Sequence, residues 1–326
     1  MKKRKIIIIA AIFLPMILLT SFFAAYRYVG VGGRVIKVEA DAGQGFYAEY
    51  YLLIPDRMEV RDHTYLLVAP NNTGRIDDNH KTHVDSAHDI VRFGQANRIA
   101  RALGVPLLVP CFDRPAADWQ MYTHALDRET LMCQEGDLAR IDEQLLAMIA
   151  DAKMLLAGKD IRVEDKVLLN GFSASGSFVN RFAALYPESV AAVAAGGVNS
   201  MTILPAAELQ GQALIYPAGI ADIGRLAGLE FQLPLFAAVP QFYYMGELDD
   251  NDALSYDDAY DDALREVITA VLGEEMSGRW KRCEEIYDSQ QIRAEFHTYP
   301  GIGHETTAEQ DQDIVLFFSR VMDESG

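Results

Sequence analysis

The chain has 326 residues, half of them hydrophobic, and a formal net charge of −18. This length allows a large buried core, and the negative charge disfavours nucleic acid or an anionic membrane surface as a partner because like charges repel. Cys111, Cys133 and Cys283 leave at least one thiol unpaired within the chain. A Cys111–Cys133 disulfide and three buried thiols are both open, and no cysteine or histidine spacing suggests zinc.

Residues 1–26 differ in composition from the rest of the chain. Four cations at positions 2–5 precede twenty uncharged, mostly apolar residues at positions 6–25. Such a run is long enough to cross the hydrocarbon core of a bilayer and longer than the core of most signal peptides. Cleavage after Ala24 or Ala25 would place a phenylalanine where signal peptidase needs a small residue. We therefore predict a signal-anchor in the cell membrane with the following domain outside, and a secreted protein as the alternative.

Residues 27–33 are rich in glycine and predict a short tether. After the tether, strand and helix patterns alternate. The predicted strands are Arg34–Glu39, Tyr47–Ile54, Tyr65–Ala69, Val105–Val109, Lys166–Leu169, Val190–Ala195, Gln241–Met245 and Ala294–Thr298. The predicted helices are Ala87–Leu103, Leu138–Leu156, Ala174–Leu185, Tyr256–Leu272 and Ala308–Met322.

The order of these elements predicts an α/β fold in a single domain, residues 34–326. The first strands have no helix between them, so we expect an antiparallel start followed by a mostly parallel sheet of eight strands with helices on both faces. Ligands of such sheets bind beyond the carboxyl ends of the strands. The long irregular stretches 111–136 and 200–240 are expected to form a small cap or the walls of a pocket.

The strongest chemical motif lies at positions 166–176, KVLLNGFSASG. A buried strand meets a sharp turn and leads directly into a helix, with Ser173 at the apex. This motif resembles the nucleophile elbow of the α/β-hydrolases, G-x-S-x-G. Gly171 matches the first glycine, whereas Ser175 stands at the second, with Gly176 immediately after it. The resemblance implies that Ser173 is the nucleophile, and Ser175 and Ser177 fit less well because no glycine precedes either by two residues.

A serine hydroxyl needs a base to become a nucleophile, and in this fold the base follows the last strand. His304 lies in the glycine-rich segment 299–305, after the last predicted strand and before the last helix. We therefore predict His304 as the general base. His297 lies within that strand and is interpreted as structural.

The base in turn needs an acid that fixes its tautomer. The strand Gln241–Met245 leads into Gly246 and an acidic turn, which resembles the acid turn of the same superfamily. Residue matching favours Asp249, with Asp250 and Asp252 as alternatives. The order Ser173, Asp249, His304 is the α/β-hydrolase order, and the resemblance spans residues 34–326.

The family also implies an oxyanion hole with two donors. One is the backbone N–H of Ala174 at the start of the helix, and the other belongs to the loop after the third strand, positions 70–74. In that loop we predict Asn72, through its backbone or its side chain, with Asn71 and Thr73 as alternatives. The lipase-type HGGG motif is absent from the sequence.

Together these residues predict a serine hydrolase that cleaves carboxylic esters through an acyl-enzyme. Its partners would be a small-molecule or polymeric ester and, through the N-terminal helix, a membrane, and the chemistry requires neither a metal nor an organic cofactor. The elbow and the helix after it weakly resemble the secreted polyester depolymerase and feruloyl esterase branch. A serine peptidase on the same fold and a non-catalytic cell-surface binding protein are the alternatives.

Overall fold

The computed structural model describes residues 30–58 and 64–324. The main sheet has eight strands in the order β1-β2-β4-β3-β5-β6-β9-β10, and β7 pairs with β8 in a separate small sheet. The strands are β1 (Gly33–Val38), β2 (Tyr50–Pro55), β3 (Leu67–Val68), β4 (Leu107–Pro110), β5 (Val167–Phe172), β6 (Val190–Gly196), β7 (Glu208–Leu209), β8 (Gln212–Ala213), β9 (Gln241–Gly246) and β10 (Ala294–Tyr299).

The helices follow the strands as the alternation predicts. They are α1 (His80–Phe93), α2 (Gln95–Leu103), α3 (Arg128–Met132), α4 (Ile141–Ala157), α5 (Ala174–Leu185), α6 (Ile223–Ala227), α7 (Leu233–Ala238), α8 (Asp262–Leu272), α9 (Met276–Ser289) and α10 (Ala308–Glu324). Short 3₁₀ turns lie at Thr123–Ala125, Pro187–Ser189 and Ala253–Ser255.

The sheet is covered on both faces. Strand β2 is antiparallel to β1 and to β4, and the remaining pairs of the main sheet are parallel. Alternate side chains of each strand enter two separate cores, one formed with α1, α2 and α10 and the other with α4, α5 and α9. Strands that are buried on both faces read as continuous apolar runs, which is why the sequence shows them clearly. The predicted fold class is confirmed.

Several element bounds differ from the prediction. The helix expected over Ala87–Leu103 is two helices that meet at Gly94, where a side chain would lie 2.9 Å from the carbonyl oxygen of Ile90. Helix α8 begins later than Tyr256, because the Asp261 carboxylate accepts a hydrogen bond from the Leu264 N–H and caps it. Helix α9 was not predicted, since its residues are mostly polar or charged.

The long stretches 111–136 and 200–240 contain the short helices α3, α6 and α7 and the β7–β8 pair. All three cysteines are free thiols, and Cys111 and Cys283 are buried. The expected membrane anchor, residues 1–26, lies outside the described residues. Among residues 30–58 and 64–324, no helix combines the length and the apolar character that are needed to cross a membrane.

Candidate active site

Ser173 occupies a strained turn between β5 and α5. Its φ of +62° and ψ of −130° lie in a region that residues other than glycine rarely adopt. The turn is possible because Gly171 and Gly176 lack side chains. A Cβ on Gly171 would lie 2.1 Å from the Ser175 carbonyl oxygen, and one on Gly176 would lie 2.5 Å from the Gly196 carbonyl oxygen. Backbone contact therefore fixes the position of Ser173 at the carboxyl edge of the sheet.

Ser175, the departure from the glycine consensus, has its own function in the turn. Its Oγ accepts a hydrogen bond from the Phe172 N–H at 3.0 Å and donates one to the Phe172 carbonyl oxygen at 2.9 Å. Its side chain is therefore engaged within the turn itself, which fits its interpretation as an inferior nucleophile.

The loop that carries His304 is joined to the loop that carries Asp249. Strand β10 is parallel to β9 in a register that pairs Tyr299 with Gly246. Beyond the strands, the Leu248 N–H donates to the Ile302 carbonyl oxygen at 2.8 Å, and a Cβ on Gly246 would lie 2.2 Å from the same oxygen. Two segments more than fifty positions apart are thus held side by side.

This pairing places the His304 ring against the carboxylate of Asp249. The Nδ1 atom lies 3.0 and 2.9 Å from the two carboxylate oxygens, and the Asp249 side chain is only 2% exposed. A carboxylate at this distance assigns the proton to Nδ1 and leaves Nε2 as an acceptor. The alternatives lie elsewhere, since Asp250 is exposed and Asp252 forms an ion pair with the buried Arg279.

The His304 ring also lies beside the elbow. It contacts the Phe172 ring with centroids 4.8 Å apart, and a Cβ on Gly197 would lie 3.0 Å from its Cε1 atom. Among the described residues, no hydrogen bond joins Ser173 Oγ to His304. Instead, the Nδ2 atom of Asn251 lies 2.9 Å from Nε2. The structure thus brings Asp249, His304 and the Ser173 turn to one edge of the sheet, with an amide on the free nitrogen of the imidazole.

The loop after β3 lies next to the same turn. The Asn72 side-chain amide donates to the Phe172 carbonyl oxygen at 3.3 Å, and its Oδ1 accepts from the Gly74 N–H at 3.1 Å. Within the described part of the chain, neither the backbone N–H of Asn72 nor that of Ala174 donates to a protein acceptor. The Thr73 hydroxyl donates to the Arg75 carbonyl oxygen and accepts from the Arg75 N–H.

Asn71 is fully buried and connects this loop to the segment that follows β4. Its side chain bonds both the N–H and the carbonyl oxygen of Phe112, at 3.0 and 2.8 Å. The buried His124 ring also bonds the Phe112 carbonyl oxygen, and burial lowers the pKa of His124 to about 3, so the ring is neutral at physiological pH. Asn71 therefore fits a support for the loop better than a donor to a ligand.

The polar network behind the acid turn could not be predicted from the sequence. Arg279 of α9 is fully buried and donates to the Asp252 carboxylate and to the carbonyl oxygen of Ser200. Asn251 stands between Asp249 and Asp252 in a run of polar residues, and nothing in that run distinguishes it. His297, expected to be structural, lies on β10 with its ring 4.7 Å from that of Phe242.

Strand order, the two-faced core and the elbow define the α/β-hydrolase fold. No family model and no curated protein match the sequence.

Solved structures of low identity share the fold over almost the whole chain. A poly(aspartic acid) hydrolase from Sphingomonas sp. KT-1 is 13% identical, with a TM-score of 0.56 over 89% of this chain and 98% of its own. A poly(3-hydroxybutyrate) depolymerase from Bordetella parapertussis is 17% identical, with a TM-score of 0.55 over 91% and 93%. An S-formylglutathione hydrolase from Agrobacterium tumefaciens is 13% identical, with a TM-score of 0.51 over 89% and 96%.

Proposed function

We propose that this chain is a serine hydrolase that cleaves carboxylic esters through an acyl-enzyme. The observation that carries the proposal is the strained Ser173 turn beside a histidine whose Nδ1 is held by a buried carboxylate. A strained residue held by its surroundings, next to a base and an acid, is the arrangement that activates a weak nucleophile. The fold shared with an S-formylglutathione hydrolase and a poly(3-hydroxybutyrate) depolymerase supports ester chemistry.

In the proposed reaction, Ser173 Oγ attacks the ester carbonyl carbon while His304 Nε2 takes the hydroxyl proton. Asp249 holds the imidazolium that results. The backbone N–H groups of Ala174 and Asn72 would bind the negatively charged oxygen of the tetrahedral intermediate. Nε2 then returns the proton to the alcohol oxygen as the C–O bond breaks. Water next attacks the acyl carbon while Nε2 takes its proton, and Nε2 gives that proton to Ser173 Oγ as the bond to the acyl group breaks and the acid leaves.

A fluorophosphonate probe tests the nucleophile directly. We expect the wild-type protein to be labelled and Ser173→Ala to lose both labelling and hydrolysis of p-nitrophenyl acetate, by on the order of 10⁴-fold or more. Ser177→Ala is the matched control on the same helix and should retain labelling. An unlabelled wild-type protein would support the non-catalytic alternative.

A substrate panel separates the esterase from the peptidase on the same fold. We expect p-nitrophenyl esters and a polyester such as poly(3-hydroxybutyrate) to be cleaved in preference to peptide anilides, because nothing in the described site marks a subsite for a peptide amine. Faster cleavage of the anilides would assign a peptidase activity and not an esterase activity, and Ser173 would remain the proposed nucleophile.

We also propose that residues 1–26 hold the enzyme in the cell membrane with the catalytic domain outside. The support is the cluster of cations before twenty uncharged residues, and their charge asymmetry predicts the orientation. The full chain should remain with membranes after a high-salt wash, whereas a chain that begins at residue 27 should be released. Full-length protein in the culture medium would indicate secretion instead.

A further inference from the structure

The proton acceptor of the proposed base is already occupied. Because Asp249 accepts the Nδ1 proton, His304 Nε2 carries the lone pair, and the Asn251 Nδ2 atom 2.9 Å away can only donate to it. A neutral imidazole has one such lone pair. The Ser173 hydroxyl and the Asn251 amide therefore compete for the same acceptor.

Two further contacts hold Asn251 in this orientation. The Tyr256 hydroxyl donates to Asn251 Oδ1 at 2.9 Å, which holds the side chain with Nδ2 directed at the imidazole. The backbone N–H of Asn251 donates to Asp249 Oδ1 at 3.1 Å, which ties the residue to the acid. Rotation of the amide by half a turn would leave two acceptors, Asn251 Oδ1 and His304 Nε2, facing each other.

This orientation of the Asn251 amide also disfavours the protonated form of the His304 ring. Once Nε2 has taken the serine proton, its N–H would face the N–H of the Asn251 amide, and two donors repel each other. In addition, the alcohol oxygen of the ester must approach Nε2 to receive the proton, and the amide nitrogen occupies that place. The chemistry therefore requires Asn251 to leave this position.

We propose that Asn251 caps the general base in the free enzyme and that an ester bound at Ser173 displaces its amide. This inference rests on the proposed function, since it gives Nε2 the proton of Ser173. Asn251 is thus a positioning residue, which controls whether the base can reach the nucleophile and which takes no part in the covalent steps.

The test compares labelling rates of the full-length protein and its variants with a fluorophosphonate probe. Asn251→Ala removes the amide and keeps the backbone bond to Asp249, so we expect labelling about five-fold faster, the factor that one hydrogen bond contributes. Tyr256→Phe frees the amide to rotate and should give an intermediate rate. Asn251→Asp places a carboxylate beside Nε2, which would hold the imidazolium, and should slow labelling below the wild-type rate.

Steady-state kinetics provide a readout that a merely structural role would not produce. With p-nitrophenyl butyrate, Asn251→Ala should raise kcat/KM by the same factor and leave kcat unchanged, because the cap is absent from the enzyme–ester complex. Asp257→Asn, on the surface of the same loop, is the control and should match wild type. Thermal melts show whether each variant is folded. If Asn251→Ala does not fold, Tyr256→Phe serves as the test.

Unchanged or slower labelling of folded Asn251→Ala, or a fall in its kcat, overturns the capping role while the hydrolase assignment stands. If neither the wild type nor Asn251→Ala is labelled, the proposed function fails and the cap fails with it.

Discussion

The two sides of the candidate site are built by different forces. On the nucleophile side, Gly171 and Gly176 allow backbone atoms to meet where no Cβ would fit, and Ser173 adopts its strained conformation as a result. On the acid–base side, Asp249 and His304 lie on two loops joined by hydrogen bonds between their backbones and side chains. Close packing dominates the first side, whereas on the second side polar contacts act together with the close approach of Gly246 to Ile302.

The difference predicts how each side responds to substitution. A steric contact with backbone atoms cannot be relieved by moving a side chain, so an added methyl group should disturb folding and chemistry together. A polar contact can be lost while the loops keep their course. Substitutions of the polar side chains on the acid–base side should therefore reduce the rate with little loss of stability.

Asp249→Asn should show the largest effect of the variants that distinguish the two sides. An amide nitrogen at this position would favour the wrong tautomer of His304, and we expect kcat for a p-nitrophenyl ester to fall by on the order of 10⁴-fold. The Asn251 N–H can still bond the side-chain oxygen that remains, so the melting temperature should change little. Asp250→Asn, at an exposed neighbouring position, is the control. A larger loss of rate in Asp250→Asn than in Asp249→Asn would identify Asp250 as the acid.

The contrast also explains what could be predicted from the sequence. The strand, the turn and the start of the helix around Ser173 lie within the eleven residues 166–176, so Gly171 and Gly176 are visible as a pattern. The fold was predictable for a similar reason, because strands buried on both faces are apolar runs. His304 and Asp249 were predicted from their places after the last strands, at the edge where the fold brings loops together.

The remainder of the site depends on contacts that no local pattern encodes. Asn251 reaches His304 across 53 positions, and Arg279 reaches Asp252 from a helix that was not predicted at all. In both cases the partner is a polar residue among other polar residues, and only the folded chain selects it. The Asn72 side chain is a further example, since its amide donates to the Phe172 carbonyl oxygen and is not left free for a ligand.

Gly171→Ala should give the next largest effect and should lower both the stability of the fold and the rate of labelling. The new methyl group would lie 2.1 Å from the Ser175 carbonyl oxygen, so strand and helix must separate. We expect the free energy of unfolding to fall by about 1–3 kcal/mol. Labelling by a fluorophosphonate should slow by about 100-fold or more, because the serine moves relative to its base.

Gly158→Ala is the matched control for this substitution. Its φ of −63° suits alanine, and the nearest atom to the added carbon, the Met154 carbonyl oxygen, is 3.5 Å away. Stability should stay level or rise by up to about 1 kcal/mol. If Gly171→Ala labels as fast as Gly158→Ala, close packing does not place the nucleophile, and the contrast between the two sides fails.

Ser175→Ala should give the smallest effect, and it tests the polar contacts of the Ser175 side chain within the packed side. The substitution removes both bonds between Oγ and the backbone of Phe172, whose carbonyl oxygen keeps the Asn72 amide as a donor. Because backbone packing at Gly171 and Gly176 still shapes the turn, stability should fall by only about 1–2 kcal/mol and labelling by less than about ten-fold. Ser175→Gly restores the glycine consensus and should behave like Ser175→Ala if the hydroxyl matters. A Ser175→Gly protein as stable as wild type would mean that the two bonds contribute nothing to stability. A loss of labelling as large as that of Gly171→Ala would mean that hydrogen bonds, and not packing, place the nucleophile.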